Sequence, residues 1–179
     1  MNRCMFEGPT RKSIAKDGVM KALQARIRKV ARADIDRIID IERSWHHLSH
    51  WSVDSYYRLI SEDSFTSSFI AEIDESTGSK IVGFVIFHIT AEVSEIYNIA
   101  VEAGHARCGI GRQLMSAAIE ASVQKRARKV MLEVRKSNTP AINFYFGFRF
   151  RIAGERKNYY SNPLEDAYVM EFEIDPVSR

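Results

Sequence analysis

Residues 97–112 read Tyr-Asn-Ile-Ala-Val-Glu-Ala-Gly-His-Ala-Arg-Cys-Gly-Ile-Gly-Arg. A short apolar strand, ending in Ile99, Ala100 and Val101, feeds a glycine-containing loop. The loop, Arg107-Cys108-Gly109-Ile110-Gly111-Arg112, opens a helix. Free backbone N–H groups and the positive end of a helix dipole then converge on one place, a site suited to a phosphate-bearing ligand. The loop lacks the Gly-Lys-Ser/Thr ending of a nucleotide-hydrolysing P-loop. It also lacks the third glycine and acidic partner of a dinucleotide fingerprint. A Gly-x-Gly pair alone serves a tight turn as readily as a phosphate site.

Outward from this stretch the chain alternates strands and helices. Arg26 to Val30 reads as a first strand. Asp34 is placed to cap a helix carrying Ile35, Ile38 and Ile39 on one face and running to about Trp45. After a loop over His46 to Trp51, Ser52 caps a second helix through Ile60. Phe69 to Asp74 and Lys80 to Thr90 form a hairpin around Ser76-Thr77-Gly78-Ser79. Within it Ile81-Val82-Gly83-Phe84-Val85-Ile86-Phe87 is apolar on both faces, as in a strand covered on both sides. Glu95 to Val101 is the next strand. The helix from Gly109 to about Lys125 carries Ile110, Leu114, Ala117, Ala118 and Ala121 on one stripe. Val130 to Val134 is a strand, and Thr139 with Pro140 starts a helix to about Phe146. Phe148 to Glu155 and Ala167 to Ile174 are the last strands. The order β-α-α-β-β-β-α-β-α-β-β predicts an α/β fold, a mixed sheet flanked by helices. Residues 1–25 have weak periodicity and are expected to be a flexible N-terminal extension, leaving 26–179 as the folded domain.

Composition narrows the function classes. The 179 residues carry 26 Lys and Arg against 23 Asp and Glu, a net charge of +3. No basic helix or RNA-binding aromatic motif stands out, so direct nucleic-acid binding is not expected. Cys4 and Cys108 have neither disulfide-framework nor zinc spacing. His46, His47 and His50 lack a fourth ligand nearby, and no metal is expected. No apolar run reaches membrane-spanning length. Met1 to Arg26 contains no signal-peptide core. A cytoplasmic protein, monomeric or weakly dimeric, is the expectation.

A second constellation is Leu132-Glu133-Val134-Arg135-Lys136-Ser137-Asn138, followed by Tyr145. On a strand Glu133 points away from Leu132 and Val134. A carboxylate there is costly to bury unpaired, so it is either salt-bridged or held for chemistry with a raised pKa. Tyr145 is either a core aromatic with a satisfied hydroxyl or a proton donor. Cys108 contributes through its backbone rather than its sulfur. No Cys-His or Ser-His pair suggests a covalent intermediate.

Together these motifs resemble the GCN5-related N-acetyltransferase (GNAT) family. The loop resembles its acetyl-coenzyme A motif, Q/R-x-x-G-x-G/A, with Ala106 in the first slot as a departure. Leu-Glu-Val-Arg-x-Ser-Asn, Ala141-Ile142, Tyr145, Arg156-Lys157-Asn158-Tyr159-Tyr160 and Glu165-Asp166-Ala167 resemble the ribosomal-protein alanine N-acetyltransferase (RimI) group over about residues 81–174. The resemblance implies a mostly antiparallel sheet splayed at its centre. The gap admits pantetheine and the acceptor amine from opposite sides. It implies acetyl-CoA as cosubstrate, held by the backbone of Ile99, Ala100 and Val101, by Arg107, Cys108, Gly109, Ile110, Gly111 and Arg112, and by Asn138. Glu133 becomes the general base and Tyr145 the general acid. Leu48 and Trp51, with Tyr159 and Tyr160 opposite, become the peptide-binding walls; His50 stands where the group often has proline. The implied reaction acetylates a protein N-terminal α-amine, with a ribosomal protein bearing N-terminal alanine as the favoured target. Acetylation of a small amine or lysine side chain, and a non-catalytic coenzyme A-binding partner, are the alternatives. After Tyr145 the family pattern Leu-Gly-Phe reads Phe148-Arg149-Phe150 here, so Arg149 replaces the usual left-handed glycine. Gly147 is then a candidate to move the helix end and shift Tyr145.

Overall fold

A computed structural model describes residues 23–45, 52–61, 66–76, 78–90 and 92–175. The elements in chain order are β1 (Arg26–Lys29), α1 (Ile35–Arg43), α2 (Val53–Ser61), β2 (Thr66–Glu75), β3 (Gly78–Ile89), β4 (Val93–Val101), α3 (Ile110–Gln124), β5 (Lys129–Arg135), α4 (Thr139–Phe146), β6 (Arg151–Ser161) and β7 (Leu164–Glu173). They form a seven-stranded sheet in the order β1-β2-β3-β4-β5-β7-β6. Neighbours are antiparallel except β4 and β5, which run parallel. A parallel pair needs a crossover, and α3 supplies it.

Both faces of β3 are covered, as its unbroken apolar run requires. On one face Ile110, Leu114, Met115 and Ala118 of α3 pack with Val85, Phe87, Ile96, Leu132 and Val134. On the other, Ile35, Ile38 and Ile39 of α1 and Tyr56 of α2 pack with Ile70, Phe84, Ile86 and Ala100. Gly83 lets α3 sit close to the sheet. A Cβ there would lie 3.0 Å from the Ala100 carbonyl oxygen and 3.1 Å from Leu114 Cδ1.

The central pairing is short. β4 and β5 match only from Val93↔Lys129 to Ile96↔Leu132. Beyond that point β4 stays with β3 as far as Val101↔Gly83, and β5 stays with β7 as far as Arg135↔Ala167. The two halves of the sheet therefore diverge. Divergence starts at a β-bulge: Ile86 pairs with Asn98 and Phe87 with Ile96, leaving Tyr97 as the extra residue on β4. A bulge bends its strand and resets the alternation of side chains. Ile96 thus faces the α3 core, whereas Asn98 and Ala100 face α1 and α2.

Several sequence expectations shift in detail. Asp34 makes no side-chain cap on α1; its carboxylate accepts from the Ala31 N–H at 2.7 Å and from Arg28. Asn138, not Thr139, caps α4, accepting from the Ala141 N–H at 3.3 Å. β6 extends to Ser161 and β7 begins at Leu164, longer than alternation suggested, because an edge strand rich in Arg, Lys and Asn shows little periodicity. Leu23 to Ala25, assigned to the extension, are tied to the loop before α3. The Leu23 N–H donates to the Cys108 carbonyl at 2.9 Å, Gln113 Nε2 donates to the Leu23 carbonyl at 2.7 Å, and Ala25 is buried. The rest of the extension lies outside the described residues. Gly147 does not move the helix end: it has ordinary helical φ, and Arg149 itself takes the left-handed position with φ 66°.

Two stability predictions follow from this packing. Gly83→Val lowers the free energy of unfolding by about 1–3 kcal/mol, measured by urea denaturation. Arg149→Gly, relieving an exposed left-handed arginine, raises it by about 1 kcal/mol.

Candidate active site

The gap between β4 and β5 is a cavity of ≈ 190 Å³. Its walls include Ile99 on β4, Glu133 on β5, Asn138 at the start of α4, Tyr145 on α4, and Tyr159 and Tyr160 on β6. Leu132 and Val134 are buried in the α3 core with Tyr145, while Glu133 points to the other side of its strand. Only an opening in the sheet lets Glu133 and Tyr145 line one cavity.

Glu133 is nearly covered, with 11% of its side chain exposed, and its Oε1 lies 3.0 Å from Arg156 Nη2. Burial pushes its carboxyl above the ordinary glutamate range. Arg156 opposes that shift, and the carboxylate of Glu95 across the gap adds to it. Tyr145 is buried against Phe144 and Phe150, and burial raises its phenol as well. It therefore keeps its proton at neutral pH. Tyr160 is pushed up to about 12, chiefly by burial.

The glycine loop has the expected form. Gly109 occupies the left-handed region with φ 85° at the entry to α3, and Arg107 does so with φ 61°. Among the described residues, the N–H groups of Arg107 to Arg112 donate to no other group of the protein. They form an open row of donors at a helix N-terminus, which matches an anionic group. The departure at Ala106 leaves this row intact, because the donors are backbone. Ala106 uses its own N–H to close a turn on Ala103. Gly111 is not demanded by space, since a Cβ there meets only ordinary contacts at 3.7 Å. Leu48 and Trp51 lie outside the described residues, as do the three loop histidines. Among the described residues no group of His, Cys, Asp or Glu is arranged to hold a metal ion.

The β6 wall is held by residues whose part the sequence reading left unassigned. Between Arg156↔Ala167 and Tyr160↔Glu165 the register slips, so Lys157 to Tyr159 bulge out opposite Asp166. The Asp166 carboxylate accepts from the Asn158 N–H at 3.0 Å and from Lys157 Nζ at 2.9 Å, which hold its pKa down at about 2. Arg135 is buried and donates to the carbonyls of Asn162 and Pro163 and to Glu165, with its guanidinium 4.0 Å from the Tyr160 ring centre. Glu165 also accepts from the Ser137 N–H at 2.7 Å. Val-Arg-Lys-Ser and Glu-Asp-Ala are therefore one brace, joining the end of β5 to the β6–β7 turn.

A buried polar cluster supports the opposite wall. Tyr56 donates its hydroxyl to Glu42 Oε1 at 2.6 Å, and Asn98 Nδ2 donates to the same oxygen at 2.8 Å. Trp45 Nε1 donates to the Val101 carbonyl at 2.8 Å. The sequence signal was present: Glu42 falls seven residues after Ile35, on the apolar stripe of α1, where a carboxylate is out of place.

The family model for acetyltransferases (GNAT) matches residues 20–148, from the end of the N-terminal segment through α4. The chain belongs to the acetyltransferase (GNAT) family. It is 33% identical over 147 residues to a Bacillus subtilis (strain 168) protein with the provisional name ribosomal protein bS18-alanine N-acetyltransferase, covering 82% of this chain and 94% of the relative. It is 31% identical to an N-alpha-acetyltransferase of Sulfurisphaera tokodaii, covering 84% and 93%. The crystal structure of the ribosomal-protein-S18-alanine N-acetyltransferase from Escherichia coli superposes with a TM-score of 0.75 at 27% identity, covering 85% of this chain and 95% of that one. The GNAT fold and the resemblance to the RimI group read from the sequence both hold.

Removing the pin on the β6 bulge tests the brace. In Asp166→Ala, amide hydrogen exchange over Asn158 to Tyr160 speeds by about tenfold or more, while α3 exchanges as in the wild type.

Proposed function

We propose that this protein is an acetyltransferase that moves an acetyl group from acetyl-CoA to the N-terminal α-amine of a protein, with a ribosomal protein starting in alanine as the target. The observation that carries the reading is one cavity lined by a buried carboxylate, a buried phenol and the edge of β4 that β5 leaves unpaired, together with an open row of backbone donors at the start of α3. The relatives named for bS18-alanine acetylation support the choice of substrate.

The row of N–H groups from Arg107 to Arg112 suits a pyrophosphate. The edge of β4 from Ile99 to Val101, which β5 leaves without a strand partner and whose Val101 carbonyl is held by Trp45, suits an extended, amide-containing arm that pairs as a strand would. Asn138, at the cavity wall, stands at the start of α4 beside them. Bound acetyl-CoA supplies an acetyl group already activated as a thioester.

The protein's own residues then have defined tasks. Tyr159 and Tyr160, with Leu48 and Trp51, form the walls that grip the peptide and place its first amine toward Glu133. A peptide α-amine has a pKa near 8, so about half or more of it is protonated at physiological pH. Glu133, ionised but with raised pKa, accepts that proton directly or through one water. Tyr145, protonated, donates toward the departing sulfur. Backbone N–H groups of β4 stabilise negative charge on the carbonyl oxygen. The walls of aromatic and braced strand favour a peptide over a small amine. No helix among the described residues is long and apolar enough to cross a membrane, and on this reading the protein works in the cytoplasm as a monomer or weak dimer.

The test is release of free thiol from acetyl-CoA in the presence of an alanine-starting peptide, with mass spectrometry of the product. Glu133→Gln lowers kcat by about 10²–10⁴-fold, and Tyr145→Phe does so to a lesser degree. In the wild type, kcat falls on the acid side with a midpoint above the ordinary glutamate range, because the base must be ionised and burial raises its pKa. That limb is absent in Glu133→Gln. Turnover on an N-terminally blocked peptide with an internal lysine, and none on the free N-terminus, contradicts the proposal. Coenzyme A binding with no turnover on any amine contradicts it too.

A further inference from the structure

Arg156 sits on the residue that must receive the substrate's proton, and nothing assigned so far explains it. Its Nη2 lies 3.0 Å from Glu133 Oε1. The two partners are held very differently. Glu133 belongs to a central strand and is 11% exposed, whereas the Arg156 side chain is 54% exposed on the edge strand, next to the bulge. The carboxylate is enclosed by its strand's neighbours, whereas the guanidinium has room to swing toward solvent. In the same position the guanidinium also lies over Tyr159, with Cζ 5.5 Å from the ring centre, within range of a cation–π contact that does not depend on Glu133.

The cavity holds more negative than positive charge at this point. Facing Glu133 are Glu95 from β4, Tyr145 from α4, and Arg156, Tyr159 and Tyr160 from β6. Arg135, two residues along β5, is committed to Glu165 and the β6–β7 turn. Among the described residues the Glu95 carboxylate makes no hydrogen bond or ion pair, though its backbone belongs to the sheet. A primary ammonium suits such a place, and the Arg156 guanidinium stands in it.

We infer that Arg156 is a positioning residue that occupies the acceptor-amine site of Glu133 and gives up that ion pair, keeping its contact with Tyr159, when the substrate's ammonium arrives. This rests on the reading of Glu133 as the base. No bond other than hydrogen bonds and ion pairs changes: one cation replaces another on the same carboxylate. While paired, Arg156 keeps Glu133 ionised, ready for that exchange. Once displaced it no longer does so, and the carboxylate's hold on a proton strengthens when the amine must give one up.

The experiment is a ¹³C NMR titration of glutamate carboxyls in the full-length protein, with the Glu133 signal assigned by its loss in Glu133→Gln. In Arg156→Gln the midpoint of Glu133 rises by about one pH unit, a tenfold change in the ionised-to-protonated ratio. Arg156→Lys returns it toward the wild type. Calorimetry at pH 8 with coenzyme A present then measures binding of an alanine-starting hexapeptide. It binds Arg156→Gln about two- to fivefold more tightly, because it no longer competes with an internal cation. A Glu133 midpoint indifferent to Arg156, or weaker peptide binding in Arg156→Gln, overturns the inference. Neither readout needs turnover. Failure of the protein to acetylate any peptide, with the Arg156 dependence intact, would instead count against acetyl transfer itself.

Discussion

The loss of hydrogen bonding between β4 and β5 after Ile96 and Leu132 is the constraint on which the site depends. Two parallel strands in the middle of a sheet would normally stay paired, because unpaired backbone groups are costly to bury. Here the Tyr97 bulge turns β4 away, and Trp45 and the Glu42–Tyr56–Asn98 cluster anchor it from the α1–α2 side. On the far side the brace of Arg135, Glu165 and Asp166 keeps β6 and β7 in place. The opening is thus held from both flanks, and beyond Ile96 one edge of β4 is left without a strand partner.

The same opening sets the electrostatics. Glu133 sits opposite its apolar neighbours on β5 and would be an uncompensated charge in a closed sheet. In the gap it reaches Arg156 and shares the cavity with Glu95 and Tyr145. Burial raises both proton-carrying groups, leaving a carboxylate of increased basicity and a phenol that stays protonated. On the proposed reading the loop from Arg107 to Arg112 holds phosphate through its backbone, and Ala106, in a slot the family usually gives to a larger polar side chain, leaves that row of N–H groups open.

Much of this was legible from the sequence, and for physical reasons. Apolar runs such as Ile81 to Phe87 report burial on both faces, and Gly109 reports a left-handed entry to a helix. Glu133 within Val-Met-Leu-Glu-Val was visible because a carboxylate is out of place there. The splay was available only through family resemblance, since it arises from a one-residue bulge that leaves no mark on hydrophobic alternation. The β6 wall was read too short because solvent-facing edge strands carry little pattern. Arg156 and Glu95 were missed because a charged residue on an exposed segment looks like ordinary surface until the tertiary fold aims it at a partner. Arg149 shows the limit of cap rules: the chain kept the left-handed turn and placed an arginine in it.

On the proposed reading, acyl donor and acceptor amine meet in the gap between β4 and β5. The most direct measurement is a crystal structure of the full chain with a bisubstrate analogue, coenzyme A joined through an acetyl bridge to the N-terminus of an alanine-starting peptide. The expected result has the pyrophosphate on the N–H groups of Arg107 to Arg112, the pantetheine along Ile99 to Val101, and the bridged nitrogen at Glu133 with Arg156 moved off it. An analogue bound elsewhere, or a β4–β5 ladder that closes beyond Ile96 and Leu132 in the complex, would contradict the account.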